Sequence, residues 1–420
     1  MQKALALCVC LTSFFSTSLW AQGGEPVDAR FRALEERIRA LEAEVQSLQA
    51  ALPTTGAPAA PAPAAVPSVA ASTPSPLQAP TPSLPVYGGV ASMVKALNPD
   101  IGVIGNFNGA AGRNIISPFP SLSLRESEFS FQAIVDPYAR ADFFLSVGEA
   151  GASVEEGYIT FPALPGGFSL KAGRMRSNFG KMNPVHNHVL PWIDRPLITY
   201  NLMGGEAGES DAGIKDEGMA LSRILPAPGE IFLEGTAEVY RGNTGTLFQA
   251  ERRSDVSSLY HLRGYRDLSE STNLEIGGSY ARGHNDAGSD FLTHLAGLDA
   301  TLRWKPLRRA IYHSFIARSE FAWSRREEED GTPRAFGFFA SAEYQFARRW
   351  FGGARFDWSE RARDAAAHDN ATSLVLTYWP SEFSQIRGQL RRTHYAEGHT
   401  ANELLFQFQY TLGAHGAHPF

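Results

Sequence analysis

The sequence predicts an all-β fold, a 16-stranded antiparallel transmembrane β-barrel that is preceded by an α-helical coiled coil. Three observations predict it. The chain begins with an export signal, its last strand alternates between apolar and polar side chains, and the preceding residues read as an even number of short strands joined by turns. We therefore divide the chain into a signal peptide (1–23), a coiled coil (27–52), a Pro/Ala-rich linker (53–86) and the barrel (87–420).

Residues 1–23 have the pattern of an export signal. Lys3 supplies the positive charge of a short N-terminal region, and residues 4–19 form an apolar stretch without an acidic side chain. Both cysteines, Cys8 and Cys10, lie in this segment, so the exported chain has no disulfide scaffold and no thiol nucleophile. The rest of the chain has no apolar run of about 18 residues, which excludes a spanning helix. The net charge of −6 gives no indication of a basic surface that would bind nucleic acid.

Residues 27–52 carry a heptad pattern, with apolar side chains at Phe31, Leu34, Ile38, Leu41, Val45, Leu48 and Leu52. Ile and Val at position a with Leu at d would favour a parallel dimer. However, residues 30–35 and 37–42 repeat one hexapeptide that resembles the Arg-hydrophobic-x-x-hydrophobic-Glu pattern of trimeric coiled coils. We therefore expect a homotrimer through residues 30–52. The alternative is a single solvated helix, which would be marginal at this length.

The linker that follows, residues 53–86, is mostly Pro, Ala, Ser and Thr and has almost nothing to bury. Such a composition favours extended polyproline II structure, at roughly 3 Å per residue. We expect it to hold the coiled coil well away from the barrel.

From about residue 99 onward, apolar and polar residues alternate in short segments. The predicted strands are 100–107, 128–135, 140–147, 155–161, 168–174, 218–225, 231–240, 257–266, 273–281, 295–304, 311–324, 335–346, 351–358, 372–378, 385–391 and 402–412. Short turns alternate with longer, polar loops, the longest of which are predicted near 108–123, 176–217, 241–256, 282–293 and 359–370. The soluble alternative, a β-sandwich of this size, would usually be split into domains.

The last strand gives the clearest alternation. Its even residues, Leu404 to Leu412, are apolar, whereas Gln407, Gln409 and Thr411 face the other way. We expect the apolar face to contact lipid. The aromatic residues Phe408, Tyr410 and Phe420 are predicted to form the signal that the barrel assembly machinery reads.

Taken together, these segments resemble the trimeric porins of Gram-negative outer membranes that carry an N-terminal coiled coil, of which the phosphate-selective porins are the best-known group. The stretch Leu170–Arg174 followed by Asn178–Gly180 is similar to the strand that enters the long inner loop in that group. The resemblance implies a barrel in the outer membrane and a coiled coil in the periplasm. The long loop holds histidines and carboxylates without a dense lysine cluster, so phosphate selectivity is not carried over.

In porins of this kind a long third loop folds into the lumen, and the resemblance therefore implies that 176–217 narrows the pore. The predicted constriction residues are His186, His188, Asp194, Arg195, Glu206 and Asp211. His186 and His188 stand one residue apart in an extended segment and would point to the same side. With Asp194 or Glu206 they would ligate a divalent cation such as zinc. The alternative is that both imidazoles hydrogen-bond or face water, and no other cofactor is expected.

Charged residues of both signs occupy the predicted lumen face of the strands. The pore-lining set is Arg140, Asp142, Lys171, Glu234, Glu238, Arg263, Arg355 and Arg387. Opposed charges across a water-filled pore create a field that filters polar solutes. The alternative is an ordinary solvated wall, and a register error of one residue would exchange the two faces.

No enzyme motif is present: the sequence has no phosphate-binding Gly-rich loop, no Gly-x-Ser-x-Gly and no His-Glu-x-x-His. The first interpretation is therefore a porin-like channel for passive diffusion of small polar solutes or ions. One alternative is an outer-membrane anchor or adhesin whose coiled coil binds peptidoglycan or another partner. Another is a zinc uptake channel that uses the loop histidines. Expected partners are outer-membrane lipid, two further copies of the chain and the assembly machinery, but no nucleic acid.

Overall fold

The structure is a computed structural model, and it describes residues 99–148, 151–205 and 212–413. Sixteen antiparallel strands form a closed barrel, which confirms the barrel part of the predicted fold, and every predicted strand overlaps an observed one. The strands are β1 (Asp100–Arg113), β2 (Ser123–Asp136), β3 (Ala139–Gly148), β4 (Gly151–Leu164), β5 (Phe168–Arg176), β6 (Lys215–Leu225), β7 (Phe232–Tyr240), β8 (Asn243–Thr244), β9 (Phe248–Gln249), β10 (Ser257–Ser269), β11 (Thr272–Asn285), β12 (Gly288–Trp304), β13 (Ser314–Arg326), β14 (Arg334–Ala347), β15 (Trp350–Arg361), β16 (Asp364–Ser381), β17 (Ser384–His394) and β18 (Thr400–Gly413). The short strands β8 and β9 pair with each other in a loop and are not part of the wall.

The barrel closes where β1 pairs with β18. The pairing runs from Gly102 opposite Gly413 to Arg113 opposite Asn402, so the wall has no free edge. A closed wall is what lipid requires, because an edge in the bilayer would leave backbone groups without partners. Gly105 leaves room at this seam, since a Cβ there would lie 2.2 Å from the Cζ atom of Tyr410.

The two faces of the wall follow the predicted alternation. In β18 the even residues from Leu404 to Leu412 are exposed on the outside, and the odd residues from Glu403 to Thr411 are buried inside. Phe408 and Tyr410 therefore lie on the outer face. Phe420 lies outside the described residues, as do the signal peptide, the coiled coil and the linker.

The connections differ from the prediction in three places. The predicted long loops 282–293 and 359–370 are two-residue turns, at 286–287 and 362–363. The connection between the predicted strands 295–304 and 311–324 is longer than expected and spans 305–313. The strands around the first two turns continue well beyond the 9–11 residues that cross a bilayer: β12 has 17 residues and β16 has 18. Outside the membrane both faces of a strand are wet, so the apolar alternation that marks a strand in the sequence fades there.

Regular helical structure is scarce in the described part of the chain. Helix α1 (Leu197–Leu202) and a single 3₁₀ turn (Asn187–Val189) both lie between β5 and β6. Among the described residues, no helix has the length and apolar character needed to cross a membrane.

Candidate functional site: the loop inside the barrel

The segment that joins β5 to β6, residues 177–214, is called the inner loop here, and its described residues, 177–205 and 212–214, lie inside the barrel. At one point the side chain of Asn178 donates a hydrogen bond of 2.5 Å to Glu238 on β7. Farther along, the backbone N–H of Ile193 donates to Gln389 on β17, at 2.9 Å. Because β7 and β17 are far apart in the order of the wall strands, the loop crosses the interior.

One side of the inner loop is apolar and packs against the wall. The buried cluster comprises Phe179, Met182, Leu190, Trp192, Ile198, Leu202, Met203 and Ile214 from the loop, Leu247 and Phe248 from the connection between β7 and β10, and Leu259, Ala281, Leu295, Ala322, Ala335, Phe339 and Val375 from the wall. Burying one such large side chain stabilises the docked loop by about 1.5–3 kcal/mol. The loop is therefore held by a hydrophobic core of its own within a mostly polar lumen.

Small wall residues make the space that this packing needs. A Cβ on Gly297 would lie 2.8 Å from the Phe179 ring, and a Cβ on Gly337 would lie 2.8 Å from a methyl group of Ile198. Real Cβ atoms do not approach other atoms so closely. The wall is thus shaped to receive the loop at these two points.

Asp194 fixes the loop to the opposite part of the wall. Its carboxylate accepts hydrogen bonds from Arg355 at 2.9 Å, from Arg391 at 2.8 Å and from Gln389 at 2.6 Å. Burial alone would raise the pKa of Asp194, but the two guanidinium groups outweigh it and hold the pKa well below its usual range. The buried carboxylate is therefore ionised and acts as an anchor.

Arg195, the next residue, connects two parts of the inner loop. Its guanidinium donates to Oδ1 of Asn187 at 2.8 Å, and to the carbonyl oxygens of Val185 at 2.5 Å and Met182 at 3.2 Å. The residue is 2% exposed. Burial, and then the positive charge of Arg176, lower the pKa of Arg195. Asp194 and Arg195 were predicted at the constriction, and in the structure both side chains are occupied in holding the loop.

A second contact joins the loop to β2 and β4 through the paired histidines. Nδ1 of His186 lies 2.8 Å from an oxygen of Glu128, and its Nε2 lies 2.5 Å from an oxygen of Glu156. Nδ1 of His188 lies 3.3 Å from the same Glu128 oxygen. Burial would lower the pKa of His186, but the hydrogen bonds with the two glutamates prevail and raise the pKa well above its usual value.

Further carboxylates converge on this point because both strands bulge. In β4, Glu156 pairs with Phe144 and Val154 with Leu145, so that Glu155 is the extra residue and turns inward beside Glu156. In β2, a similar irregularity directly precedes Glu126. Oxygens of Glu126, Glu128 and Glu155 lie within 4.8 Å of one another. We call Glu126, Glu128, Glu155, Glu156, His186 and His188 the His/Glu cluster.

The eight predicted pore-lining residues all lie on the inner face of the wall. Arg355, Arg387 and Glu238 contact the inner loop. The others pair with neighbours: Arg140 with Asp142, Arg263 with Glu234, and Lys171 with the ring of Tyr158.

The two histidines of the metal prediction lie side by side, with ring centroids 5.6 Å apart, and the carboxylate that both contact is Glu128. Asp194 is bonded to arginines, and Glu206 and Asp211 lie outside the described residues. The carboxylates beside the histidines belong to the wall. Sequence reasoning missed Glu155 because a bulge breaks the period of two. The one feature that could have indicated it is the pair of adjacent acidic residues, Glu155 and Glu156, at the start of the predicted strand 155–161.

Two cavities lie at opposite ends of the barrel, and the inner loop lines only the first of them. The long-loop end holds the connections 114–122 and 395–399, and the short-turn end holds the turns 348–349 and 382–383. The cavity at the long-loop end has a volume of about 390 Å³ and is lined by residues that include Asp194, Tyr200, Arg361, Arg363 and Arg391. The cavity at the short-turn end has a volume of about 590 Å³, and its lining includes Glu343, Gln345 and Arg349.

Comparison with known proteins places the chain in a family. No family model matches it. It is 30% identical over 340 residues to an uncharacterized protein of Aquifex aeolicus (strain VF5), and the match covers 71% of this chain and 70% of that protein. The chain belongs to the same family as this Aquifex protein.

Solved structures with the same architecture are porins. OprB of Pseudomonas putida, in its high-pH structure, aligns with a TM-score of 0.53 at 10% identity, over 78% of this chain and 97% of OprB. The anion-selective porin of Comamonas acidovorans aligns with a TM-score of 0.52 at 10% identity, over 75% of this chain and 99% of the porin. At these identities the likeness is one of fold: the barrel has a porin-like architecture.

Proposed function

We propose that this protein is an outer-membrane channel of the porin type, through which small polar solutes or ions diffuse passively, and that the inner loop sets its constriction. The observation that carries the proposal is the inner loop itself, which crosses the interior of a closed barrel and lines the cavity at its long-loop end. Any solute that enters the barrel at one end and leaves at the other has to pass the loop.

The charges of the inner wall support a path for polar solutes. Arg263 and Glu234 form a 2.5 Å ion pair, and both side chains remain about one third exposed. Arg303 pairs with Glu275 at 3.5 Å in the same part of the wall. Partly exposed charges of both signs suit a water-filled passage, because they favour polar and ionic solutes over apolar ones.

The N-terminal segments extend the proposal. We propose that residues 27–52 form a trimeric coiled coil in the periplasm and that each copy contributes one barrel in the outer membrane. OmpT of Vibrio cholerae, whose structure is described as a trimer form, aligns with a TM-score of 0.50 at 9% identity, over 75% of this chain and 99% of OmpT. The support for a trimer in this chain is the repeated hexapeptide at 30–35 and 37–42.

Conductance across a planar lipid bilayer tests the channel. The full-length protein is expected to give stepwise openings, grouped in threes if the trimer is right. Shortening the inner loop by deleting residues 206–210 should change the step size, whereas Glu270→Gln, in the exposed turn between β10 and β11, should not. A folded barrel that never conducts would contradict the channel and leave the anchor or adhesin as the remaining interpretation.

A further inference from the structure

We propose that Glu126, Glu128, Glu155, His186 and His188 form a binding site for one divalent transition-metal ion, with zinc as the best match, and that this ion joins the inner loop to the wall. The site is a structural link, so the proposal does not depend on whether the barrel conducts. It rests on where the donor atoms lie, on a buried carboxylate that accepts no N–H hydrogen bond and on the balance of charge.

The donor atoms form two overlapping groups that share Glu128. One atom from each of Glu128, His186 and His188 lies within 4.8 Å of the others, and the same holds for Glu126, Glu128 and Glu155. All five residues are buried. The five donors come from three separate segments, β2, β4 and the inner loop, so an ion at this point would tie the loop to two strands at once.

Glu155 provides a second, independent observation that favours a bound cation. It is 2% exposed, and its carboxylate oxygens accept no hydrogen bond from an N–H group of the described residues; Nη2 of Arg176 lies 3.6 Å and Nδ1 of His186 4.0 Å from it. A buried carboxylate normally accepts hydrogen bonds, because its desolvation is costly otherwise. The bulge in β4 aims this side chain into the cluster. A cation at the centre would satisfy both oxygens.

The charges of the cluster point to the same conclusion. With Glu156, four glutamates are buried together, and the nearest guanidinium, that of Arg176, is 3.6 Å from Glu155. Carboxylates this close cannot all be ionised unless protons or cations compensate them. The guanidinium compensates one of the four negative charges, and a divalent ion held by neutral imidazoles would compensate two more.

The donor types select the metal. Imidazole nitrogen together with carboxylate oxygen suits zinc and its neighbours in the first transition row, whereas calcium and magnesium prefer oxygen alone. His186 is already oriented for this role. Its Nε2 faces Glu156 while its Nδ1 faces Glu128, and Glu156 is itself fixed by the backbone N–H of Arg176 at 2.6 Å. A carboxylate behind a metal-bound histidine is the usual arrangement in such sites.

The first test measures metal content. The full-length protein, folded in detergent and equilibrated with Zn²⁺, is expected to retain one zinc ion per chain after gel filtration. Glu128→Gln should lose stoichiometric zinc, with affinity lower by at least about tenfold, since even residues behind the ligands change affinity by 10–100-fold. Heat-modifiable mobility on a gel checks that each variant is folded.

The matched control is Glu320→Gln. Glu320 is also a buried glutamate of the inner wall and also contacts the loop, since it accepts backbone N–H groups of Lys181 and Met182, at 2.7 and 2.6 Å. It has no histidine partner among the described residues, so this variant should keep its zinc. Equal zinc loss in both variants would mean that loss follows from loop undocking, and the proposed ligand set would be wrong.

A second measurement on the unchanged protein covers the case in which Glu128→Gln does not fold. Co²⁺ added to the full-length protein should give visible absorption bands that Zn²⁺ abolishes. A folded protein that shows neither cobalt bands nor retained zinc would overturn the proposal, and shared protons would then be the compensating charge. Zinc retained at wild-type affinity by folded Glu128→Gln would overturn it as well.

Discussion

Replacing Asp194 with Asn removes the negative charge that fixes the inner loop to β15 and β17. The carboxylate is 6% exposed and bridges two arginines, Arg355 and Arg391. An asparagine keeps the size of the side chain and can still accept a hydrogen bond, but it leaves less compensation for two buried positive charges. We expect the loop to leave the wall more often while the barrel stays folded.

The loss of docking free energy depends on the ion pairs that each arginine keeps in the variant. Removing one partner of a buried ion pair typically costs 3–5 kcal/mol. Arg355 retains its ion pair with Asp357 at 2.7 Å, and Arg391 retains its ion pair with Glu403 at 2.8 Å. We therefore expect a cost of about 3 kcal/mol, at the lower end of that range. About 3 kcal/mol corresponds to roughly a hundredfold shift in the equilibrium between docked and undocked loop.

Hydrogen exchange followed by mass spectrometry measures this equilibrium directly. The backbone N–H groups of Ile193 and Leu197 donate to Gln389 and Asp357 of the wall, so they are protected only while the loop is docked. In Asp194→Asn, peptides that cover 190–200 should exchange about a hundredfold faster. Peptides from the wall strands should be unchanged.

The control variant is Glu397→Gln, which removes a 2.6 Å ion pair with Arg361 at the exposed long-loop end. Exposed pairs contribute about 0–1 kcal/mol, so exchange in the inner loop should stay within a few-fold of wild type. Unchanged loop exchange in Asp194→Asn would refute the anchor. Faster exchange throughout the wall would show that Asp194 stabilises the barrel as a whole.

Three further predictions test the wall and the termini. Gly297→Leu should lower the free energy of unfolding by about 1–3 kcal/mol, because the new side chain overpacks against Phe179 of the loop. Gly388→Ala serves as the control, since nothing lies within 4 Å of the added carbon. Equal urea midpoints for the two variants would contradict the close packing of the loop against Gly297. Leu374→Arg, at an outward side chain that is 57% exposed, should cost about 2–4 kcal/mol in lipid vesicles, and a variant as stable as wild type there would contradict a lipid-facing position. Deleting Phe420 should reduce the amount of folded barrel in the outer membrane, which gel mobility measures; normal assembly would rule out its role as a signal.

Local patterns in the sequence were enough to predict the wall. The apolar residues from Leu404 to Leu412 face outward as their alternation required, and the predicted wall charges such as Asp142 and Arg263 face inward. Side chains of a strand alternate whatever the strand pairs with, so this information is contained in the neighbouring residues. The same reasoning put His186 and His188 on one side of the chain.

Only the tertiary structure decided what these side chains meet. The partners of Asp194 on β15 and β17 are 161 and 197 residues away, and Glu128 is 58 residues from His186. No periodicity in the sequence reports contacts that form when a loop crosses a barrel. A bulge in β4 likewise turns Glu155 to the same side as Glu156, against the period of two, because one extra residue shifts the register locally. The sequence by itself determined the barrel and its faces, and the folded chain determined the anchor and the His/Glu cluster.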